Sequence, residues 1–215
     1  GAVALDAVVL THPHPDHARG LLAVLTLLPV GQVIVPSAAP RNEFLDEFVA
    51  AARRRRLPLR RAAVGERLSA GGFDFEVLHP AGRAYLRSPE NNGSLVLRSE
   101  IWGRTVLLAG DVEGWAERDL LEGASPLKAD VLKVPHHGSA TSTSDGFLAA
   151  VAPRLALIGV GRRNRFGHPS PAVLSRLDAA RVRTFRTDLD GDVALLFGDG
   201  RILPVFPEAP PRERP

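Results

Sequence analysis

Near its start the chain reads Thr-His-Pro-His-Pro-Asp-His, residues 11–17, directly after the apolar run from Ala7 to Thr11. His12 and His14 each precede a proline, which disfavours helical backbone and keeps both residues extended. Side chains two residues apart on extended backbone point to the same side, so we expect His12, His14 and Asp16 to converge. A helix is predicted to begin about His17, whose imidazole then points in a different direction. This arrangement offers two imidazoles to one metal ion and an aspartate with an imidazole to a second, whereas a lone Asp16 would usually only cap the helix.

Other polar residues follow predicted strands in the same way. They are Asp111 after Thr105 to Ala109, His136 and His137 after Asp130 to Val134, and His168 after Leu155 to Val160. In α/β sheets, the carboxyl ends of strands are where binding sites assemble. Each residue alone has an ordinary explanation, Asp111 as a helix cap and His168 as a turn residue. Their shared position makes them candidates for a single site.

The composition is that of a globular domain and excludes several classes of site. The chain has 215 residues, of which 45% are hydrophobic and 24% are charged. The longest apolar run, Leu21 to Val30, is interrupted by Thr26 and Pro29 and is too short for a membrane helix or a signal peptide. Cysteine is absent, which excludes disulfides, thiolate catalysis and cysteine-ligated metals. Methionine is also absent, so we expect the natural polypeptide to extend upstream of Gly1 or to be cleaved there.

Arginine dominates the basic residues. Lysine occurs only at positions 128 and 133, so 25 of the 27 basic residues are arginine. Arginine suits phosphate contacts because its guanidinium group pairs with two oxygens at once, although an arginine-rich genome explains the bias equally well. The densest run, Arg53 to Arg56 with Arg60 and Arg61 beyond it, is predicted to be a solvated helix end in preference to a nucleic-acid patch.

Short apolar runs alternate with amphipathic stretches along most of the chain. The predicted strands are Ala7–Thr11, Gln32–Val35, Phe73–Leu78, Ser94–Leu97, Thr105–Ala109, Asp130–Val134 and Leu155–Val160. The predicted helices are His17–Leu28, Asn42–Arg56, Glu113–Glu122, Ser144–Val151 and Ala172–Ala180. Continuous runs of Val, Leu and Ile are typical of strands buried on both faces. The sequence therefore predicts a layered α/β architecture in which helices cover mixed sheets.

The end of the chain has a different pattern. Val182–Thr187, Val193–Phe197 and Ile202–Phe206 are predicted as short strands, and Asp190-Gly191 and Asp199-Gly200 as the hairpin turns that join them. Residues 207–215 contain only proline, alanine and charged residues, which predicts a tail outside the domain of residues 1–206.

The sequence resembles the metallo-β-lactamase-fold hydrolases, and within them the C-terminal domain of the ComEC family of competence DNA-uptake channel proteins. The fold-level motifs are Thr-His-x-His-x-Asp-His at 11–17 and Leu-Ala-Gly-Asp ending at Asp111. The closer likeness rests on Asn-Asn-Gly-Ser-Leu-Val at 91–96, Gly-Asp-Val-Glu at 110–113, Asp-Val-Leu-Lys-Val-Pro-His-His-Gly-Ser at 130–139, Asn-Arg-Phe-Gly-His-Pro at 164–169 and Arg-Thr-Asp at 186–188. It extends from about Leu5 to Phe197.

The resemblance implies an αββα four-layer sandwich that lacks its first strands, and a site for two divalent metal ions, zinc or manganese, with no small organic cofactor. The implied ligands are His12 and His14 for one ion, Asp16, His17 and His137 for the other, and Asp111 as a bridge. We prefer His137 to its neighbour at 136 because it abuts the glycine turn. Many members of the fold supply a further histidine from a Gly-His-Thr loop, where this chain reads Glu-Asn-Asn at 90–92. His79 is the only histidine near enough to substitute.

The implied activity is that of a metal-dependent phosphodiesterase, the nuclease domain of a DNA-uptake channel, which degrades the DNA strand that is not transported. Asp16 and His168 are the expected catalytic residues, the latter as an acid or a phosphate contact, and Asn91, Ser94 and Ser139 are expected to contact substrate. The implied partners are DNA and an upstream membrane-channel region of the same polypeptide, with this domain on the outer face of the bacterial cytoplasmic membrane.

Two alternatives remain open at this point. The chain could be a free-standing cytoplasmic metallohydrolase of a small phosphoester or lactone-type substrate, or a metal-poor domain that only guides DNA. A serine hydrolase and a nucleoside triphosphatase are disfavoured, because the chain has neither a Gly-x-Ser-x-Gly elbow nor a Gly-x-x-x-x-Gly-Lys loop.

Overall fold

The computed structural model describes residues 3–198 and 200–206, and within them the chain forms two packed sheets and a C-terminal hairpin. The smaller sheet has the strand order β1-β2-β3 and is parallel throughout. Its strands are β1 (Leu5–Val9), β2 (Val30–Pro36) and β3 (Leu59–Ala62), connected by the helices α1 (Pro15–Leu27) and α2 (Glu43–Arg54). Parallel neighbours require such crossover connections, and the helices cover one face of this sheet.

The larger sheet has seven strands in the order β10-β9-β8-β7-β6-β5-β4. Strands β4 to β7 pair antiparallel, whereas β7 to β10 pair parallel. The strands are β4 (Arg67–Ala70), β5 (Phe73–His79), β6 (Val96–Ile101), β7 (Arg104–Leu108), β8 (Val131–Lys133), β9 (Leu155–Ile158) and β10 (Arg183–Arg186). The helices are α3 (Pro89–Asn92), α4 (Gly114–Glu122), α5 (Asp145–Val151), α6 (Pro171–Ala179) and α7 (Thr187–Asp190).

Four apolar clusters stabilise the described part of the chain, and β2 contributes to two of them. Val33 and Val35 face the helices α1 and α2, where they pack with Phe48. Ile34 points the other way, into the layer between the two sheets, where it packs with Leu97. The outer layer of the larger sheet packs α4, α5 and α6 over β7 to β9. The order helix, sheet, sheet, helix confirms the predicted αββα sandwich.

The strand β1 forms one edge of the smaller sheet, and among the described residues it pairs only with β2. Beside it runs an apolar groove of about 400 Å³, lined by Ala7 and Val9 of β1 and by Phe75 and Leu108 of the larger sheet. The expectation that the first strands of the fold are absent from this chain stays a prediction.

Most differences from the predicted elements lie in short segments. The strands β3 and β4 and the helix α3 were not predicted, and the Asp190-Gly191 hairpin was wrong. Instead, Thr187–Asp190 forms a short helix and β10 pairs parallel with β9. The second hairpin is confirmed, since β11 (Ala194–Gly198) pairs antiparallel with β12 (Arg201–Val205). The predicted tail at 207–215 lies outside the described residues, and no helix of the described chain is long and apolar enough to cross a membrane.

Candidate metal centre

The candidate centre lies where the carboxyl ends of β1, β7, β8 and β9 meet. The four segments that follow these strands line an open cavity of about 600 Å³. Its lining residues are His14, Pro15, Asp16, Arg19, Asp111, His136, His137, Arg165, Phe166 and His168. The four strand ends therefore lie together at one site, as the sequence led us to expect.

Asp111 is the buried centre of the cluster. Its Oδ2 lies 3.3 Å from Nε2 of His17, 3.4 Å from Nε2 of His137 and 3.7 Å from Nε2 of His12. The backbone is fixed behind it, because the Asp111 amide donates to Ser94 Oγ at 3.1 Å. A side chain at Gly110, whose φ is +56°, would come within 2.8 Å of Ser94, so glycine is required there. The carboxylate therefore reaches three imidazoles from both halves of the molecule.

His137 is held in an uncommon backbone conformation that aims its ring at the centre. Its φ and ψ are 54° and 20°, in the left-handed region that non-glycine residues adopt rarely. Its Nδ1 donates to the Gly159 carbonyl at 2.6 Å, which leaves Nε2 facing Asp16 Oδ2 at 3.4 Å. A carbonyl on one imidazole nitrogen is the usual orienting contact of a metal-ligating histidine. His136 instead pairs through Nδ1 with Glu113 Oε1 at 3.2 Å, which supports the preference for His137.

His12 and His14 stand side by side, as the two X-Pro steps predict. Their ring centroids are 4.9 Å apart. The ring of His12 is completely buried, and its Nδ1 lies 3.2 Å from Thr11 Oγ1. The helix α1 begins at Pro15, two residues earlier than predicted, so Asp16 lies in its first turn while His14 occupies the N-cap without a side-chain capping bond.

The charges of the cluster are strongly coupled. Hydrogen bonds to Asp111 and Asp16 raise the pKa of His137 to about 10. The hydrogen bond from His137 in turn lowers the pKa of Asp16 to about 2. Burial alone would raise the pKa of Asp111, but hydrogen bonds from His137 and His17 hold it well below its usual range. Burial lowers the pKa of His12 to about 3, so this imidazole is neutral and its lone pair is free. The ionised carboxylates of Asp16 and Asp111 and the neutral ring of His12 would attract a cation to this site.

The donor atoms fit divalent metal ions. Ligand atoms of Asp16, His17, Asp111 and His137 all lie within 4.8 Å of one another. Two further buried atoms, His12 Nε2 and Asp111 Oδ1, have no hydrogen-bond partner within the described part of the chain. A buried polar atom without a partner is costly, and a cation between these atoms would satisfy both. Imidazole and carboxylate ligands suit zinc and manganese alike.

The contacts of His79, Ser94 and Ser139 bear on the roles considered for them. Both ring nitrogens of His79 are engaged, Nδ1 at 2.9 Å from the Ser94 carbonyl and Nε2 at 2.7 Å from the Tyr85 hydroxyl, so this histidine is a buried structural residue. Ser94 is completely buried and positions Asp111 instead of contacting substrate. Ser139 is also buried, and its hydroxyl pairs with Thr141 Oγ1 at 2.9 Å in the turn after the histidine pair.

Asn91 is buried beside the site, and one N–H of its side-chain amide is engaged. Nδ2 donates to Glu113 Oε1 at 3.0 Å, and Glu113 in turn holds His136. Its Oδ1 has no hydrogen-bond partner among the described residues. Asn91 thus helps to fix the wall of the cavity through Glu113, and its expected donation to a phosphate oxygen stays a prediction.

His168 lines the cavity, as expected. Burial and the charges of His136 and His137 lower the pKa of His168, which is neutral at pH 7.

Sequence reasoning missed the structural roles of Glu113 and Asn92. Asn92 Oδ1 accepts from the backbone amides of Glu113 and Ala116, at 3.1 and 3.2 Å, and so caps α4 from a neighbouring segment. Asn92 and Glu113 lie in the motifs at 91–96 and 110–113, but the motifs alone do not indicate that the two segments are in contact.

The arginine run takes the conformation that was predicted. Arg53 and Arg54 close α2, and Arg55 donates to the Leu28 carbonyl at 3.1 Å. Arg60 pairs with Glu66 Oε2 at 2.6 Å. The run is an exposed helix end with local partners.

Comparisons with known proteins agree with this geometry. The sequence profile of the metallo-beta-lactamase superfamily matches residues 2–162. ComE operon protein 3 of Bacillus subtilis is 34% identical over 193 residues, which cover 90% of this chain and 25% of that protein. Competence protein ComA of Neisseria gonorrhoeae is 35% identical over 202 residues, which cover 94% of this chain and 26% of that protein. The chain thus spans about a quarter of the length of these curated relatives.

A solved structure shares the fold. The crystal structure of CmlA, a diiron beta-hydroxylase from Streptomyces venezuelae, superposes with a TM-score of 0.56 at 16% sequence identity. The match covers 86% of this chain and 44% of that one. At this identity the likeness concerns the fold alone.

Proposed function

The chain belongs to the metallo-β-lactamase superfamily, and we propose that it is a divalent-metal-dependent phosphodiesterase that cleaves DNA as one domain of a competence protein. The observation that carries this proposal is the set of four ligand atoms within 4.8 Å, with Asp111 facing three imidazoles. The ligand set argues against a metal-poor module that only guides DNA. The substrate class is drawn from the competence proteins that the chain resembles.

Two groups of side chains would hold the ions. His12, His14 and Asp111 would hold one, and Asp16, His17, Asp111 and His137 the other. When bound, a pair of zinc or manganese ions supplies hydroxide at neutral pH and positive charge opposite the phosphate oxygens.

Groups of the cavity also bind and orient the substrate and the attacking water, and Asp16 would do so in addition to holding an ion. His168 is neutral, and we assign its N–H a hydrogen bond to a phosphate oxygen; such donors are worth about 10²-fold or more in turnover. Asp16 is ionised and exposed, and we assign its carboxylate the orientation of an attacking water. Arg19 and Arg165 at the mouth of the cavity supply positive charge for the flanking phosphates.

The biological setting is a further part of the proposal. Since the relatives are about four times as long as this chain, their additional length leaves room for the upstream membrane-channel region. In that setting the domain would lie on the outer face of the cytoplasmic membrane and degrade the strand that does not enter the cell.

Cleavage of linear DNA tests the activity. Protein loaded with Mn²⁺ or Zn²⁺ is expected to cut single- or double-stranded DNA, and a chelator is expected to stop the reaction. Asp111→Asn should abolish cleavage, whereas Asp46→Asn, the same change on an exposed carboxylate that pairs with Arg41, should leave it intact.

Two outcomes would contradict the proposal. Metal-loaded protein that hydrolyses a small phosphodiester but no DNA would favour the free-standing metallohydrolase. Protein that binds DNA but hydrolyses neither substrate would favour the guiding module.

A further inference from the structure

Phe166 is an exposed aromatic residue at the mouth of the metal cavity. Its side chain is 70% exposed, although a phenylalanine of a folded domain gains most by burial. It lies in the segment 161–168, between β9 and α6, and lines the same cavity as Asp16, Asp111 and His137. Its position beside the candidate metal site makes this exposed aromatic face available to a ligand that enters the cavity.

The loop that carries Phe166 is held by the side chain of Asn164. Asn164 Oδ1 accepts from the His168 amide at 2.8 Å, and Nδ2 donates to the His168 carbonyl at 2.9 Å and to the Gly161 carbonyl at 3.2 Å. These bonds close the loop on both sides of the ring. Phe166 is thus presented on fixed backbone, and little conformational entropy is lost when a ligand binds.

The neighbours of the ring suit a flat ligand with a negatively charged chain. The ring lies nearly parallel to that of His168, at 19° with 5.9 Å between centroids, and the guanidinium of Arg165 lies 5.4 Å from its centroid. Arg19, on α1, lines the same cavity. An aromatic face combined with arginines is the arrangement by which proteins bind single-stranded nucleic acid without reading its sequence.

We propose that Phe166 is a stacking platform for one unpaired nucleobase, which seats the neighbouring phosphodiester beside His168 and makes the site prefer single-stranded DNA. Arg165, which covers the ring when no substrate is bound, then pairs with a flanking phosphate. In duplex DNA the faces of the bases are occupied by their neighbours, so the platform contributes nothing to duplex binding. This inference rests on the proposed function for its substrate class.

The test compares nucleic acids that differ only in their bases. The probes are a fluorescein-labelled oligothymidylate with phosphorothioate linkages, the same chain with abasic residues, and a duplex of equal length, each titrated with metal-loaded protein and followed by anisotropy. Phe166→Leu keeps an apolar side chain but removes the aromatic face. It should weaken binding of the oligothymidylate on the order of tenfold and leave the abasic chain and the duplex within about twofold.

Two variants control the comparison. Phe166→Trp should retain the affinity for the oligothymidylate, because the larger ring stacks at least as well. Trp102→Leu removes an aromatic side chain that is 69% exposed in the β6–β7 turn and should change none of the three affinities.

The platform is refuted if Phe166→Leu weakens all three probes equally, or none, or if the unmodified protein does not bind the oligothymidylate. Its failure is distinguishable from that of the proposed function. A protein that needs Phe166 to bind oligothymidylate but cleaves no DNA retains the platform and loses the nuclease. A protein that cleaves DNA with no effect of Phe166→Leu on binding retains the nuclease and loses the platform.

Discussion

Raising the pH is expected to destabilise the metal-free protein through His137. The ring donates to two carboxylates, Asp16 and Asp111, and its pKa is raised from 6.5 to about 10. A group that binds its proton more tightly in the folded state stabilises that state fully below its unfolded pKa, and the contribution is lost as the pH rises through the folded pKa. Three pH units above neutrality, at about 1.4 kcal/mol each, give a loss of about 4 kcal/mol between pH 7 and 10.

Urea denaturation of chelator-treated protein at several pH values measures this loss. His137→Gln keeps a hydrogen-bonding side chain but cannot titrate, so its stability is the reference at each pH. The difference in unfolding free energy between the two proteins should shrink by about 1.4 kcal/mol per pH unit across this range. Parallel curves for the two proteins would refute the assignment of a shared proton to His137.

Metal binding provides an independent readout of the same proton. Nε2 must lose its proton before it can ligate a cation, so loading at pH 7 should release a proton from His137. Calorimetry in two buffers of different ionisation enthalpy counts the protons, and His137→Gln should release about one fewer than the unmodified protein.

Three further perturbations test the centre and its support. Asp111→Asn should lower the metal content from about two ions per chain to less than one, because the carboxylate serves both positions; elemental analysis decides, and His136→Ala, outside the cluster, should retain the full complement. His168→Ala should lower turnover on DNA about 10²-fold with unchanged metal content, and equal loss of metal would contradict its assignment to substrate. Asn92→Ala leaves the buried amides of Glu113 and its helix without their acceptor and should lower the unfolding free energy by about 2–4 kcal/mol in urea denaturation; a loss below about 1 kcal/mol would show that water replaces the cap.

The parts of the site that could be predicted are those that depend on local backbone rules. Two X-Pro steps suffice to bring His12 and His14 to one side, and the strand-end rule brings Asp111 to the same edge of the sheets. The resemblance pointed to one histidine of the pair at 136 and 137, the adjacent glycine turn favoured His137, and the contact of its Nδ1 with the Gly159 carbonyl provides a physical reason. Long-range contacts of this kind have no signature in a single sequence.

The roles of two further residues depend on burial, which local pattern does not reveal. Ser94 lies in a motif and carries a hydroxyl, but it is completely buried behind Gly110 and its partner is a backbone amide. His79 likewise is engaged by Tyr85, from a loop that local pattern does not connect to it. The strand β3 was missed because Arg60 and Arg61 are both exposed on a short edge strand, which hides the alternation of buried and exposed residues.

The position of the cluster also determines which interactions join the two sheets at this end of the molecule. The ligands up to His17 belong to the half built on the smaller sheet, whereas Asp111 and His137 belong to the half built on the larger one. At this end the two halves contact each other through imidazoles and a carboxylate instead of apolar side chains. Bound cations would therefore act as cross-links across the seam, adding about 1.4 kcal/mol of cohesion for each tenfold excess over their dissociation constant. Chelation should open the seam from this end first, so that amides around residues 11–17 and 136–139 exchange with solvent while the interiors of both sheets stay protected. Ions bound at this centre would then also join the two sheets of the sandwich.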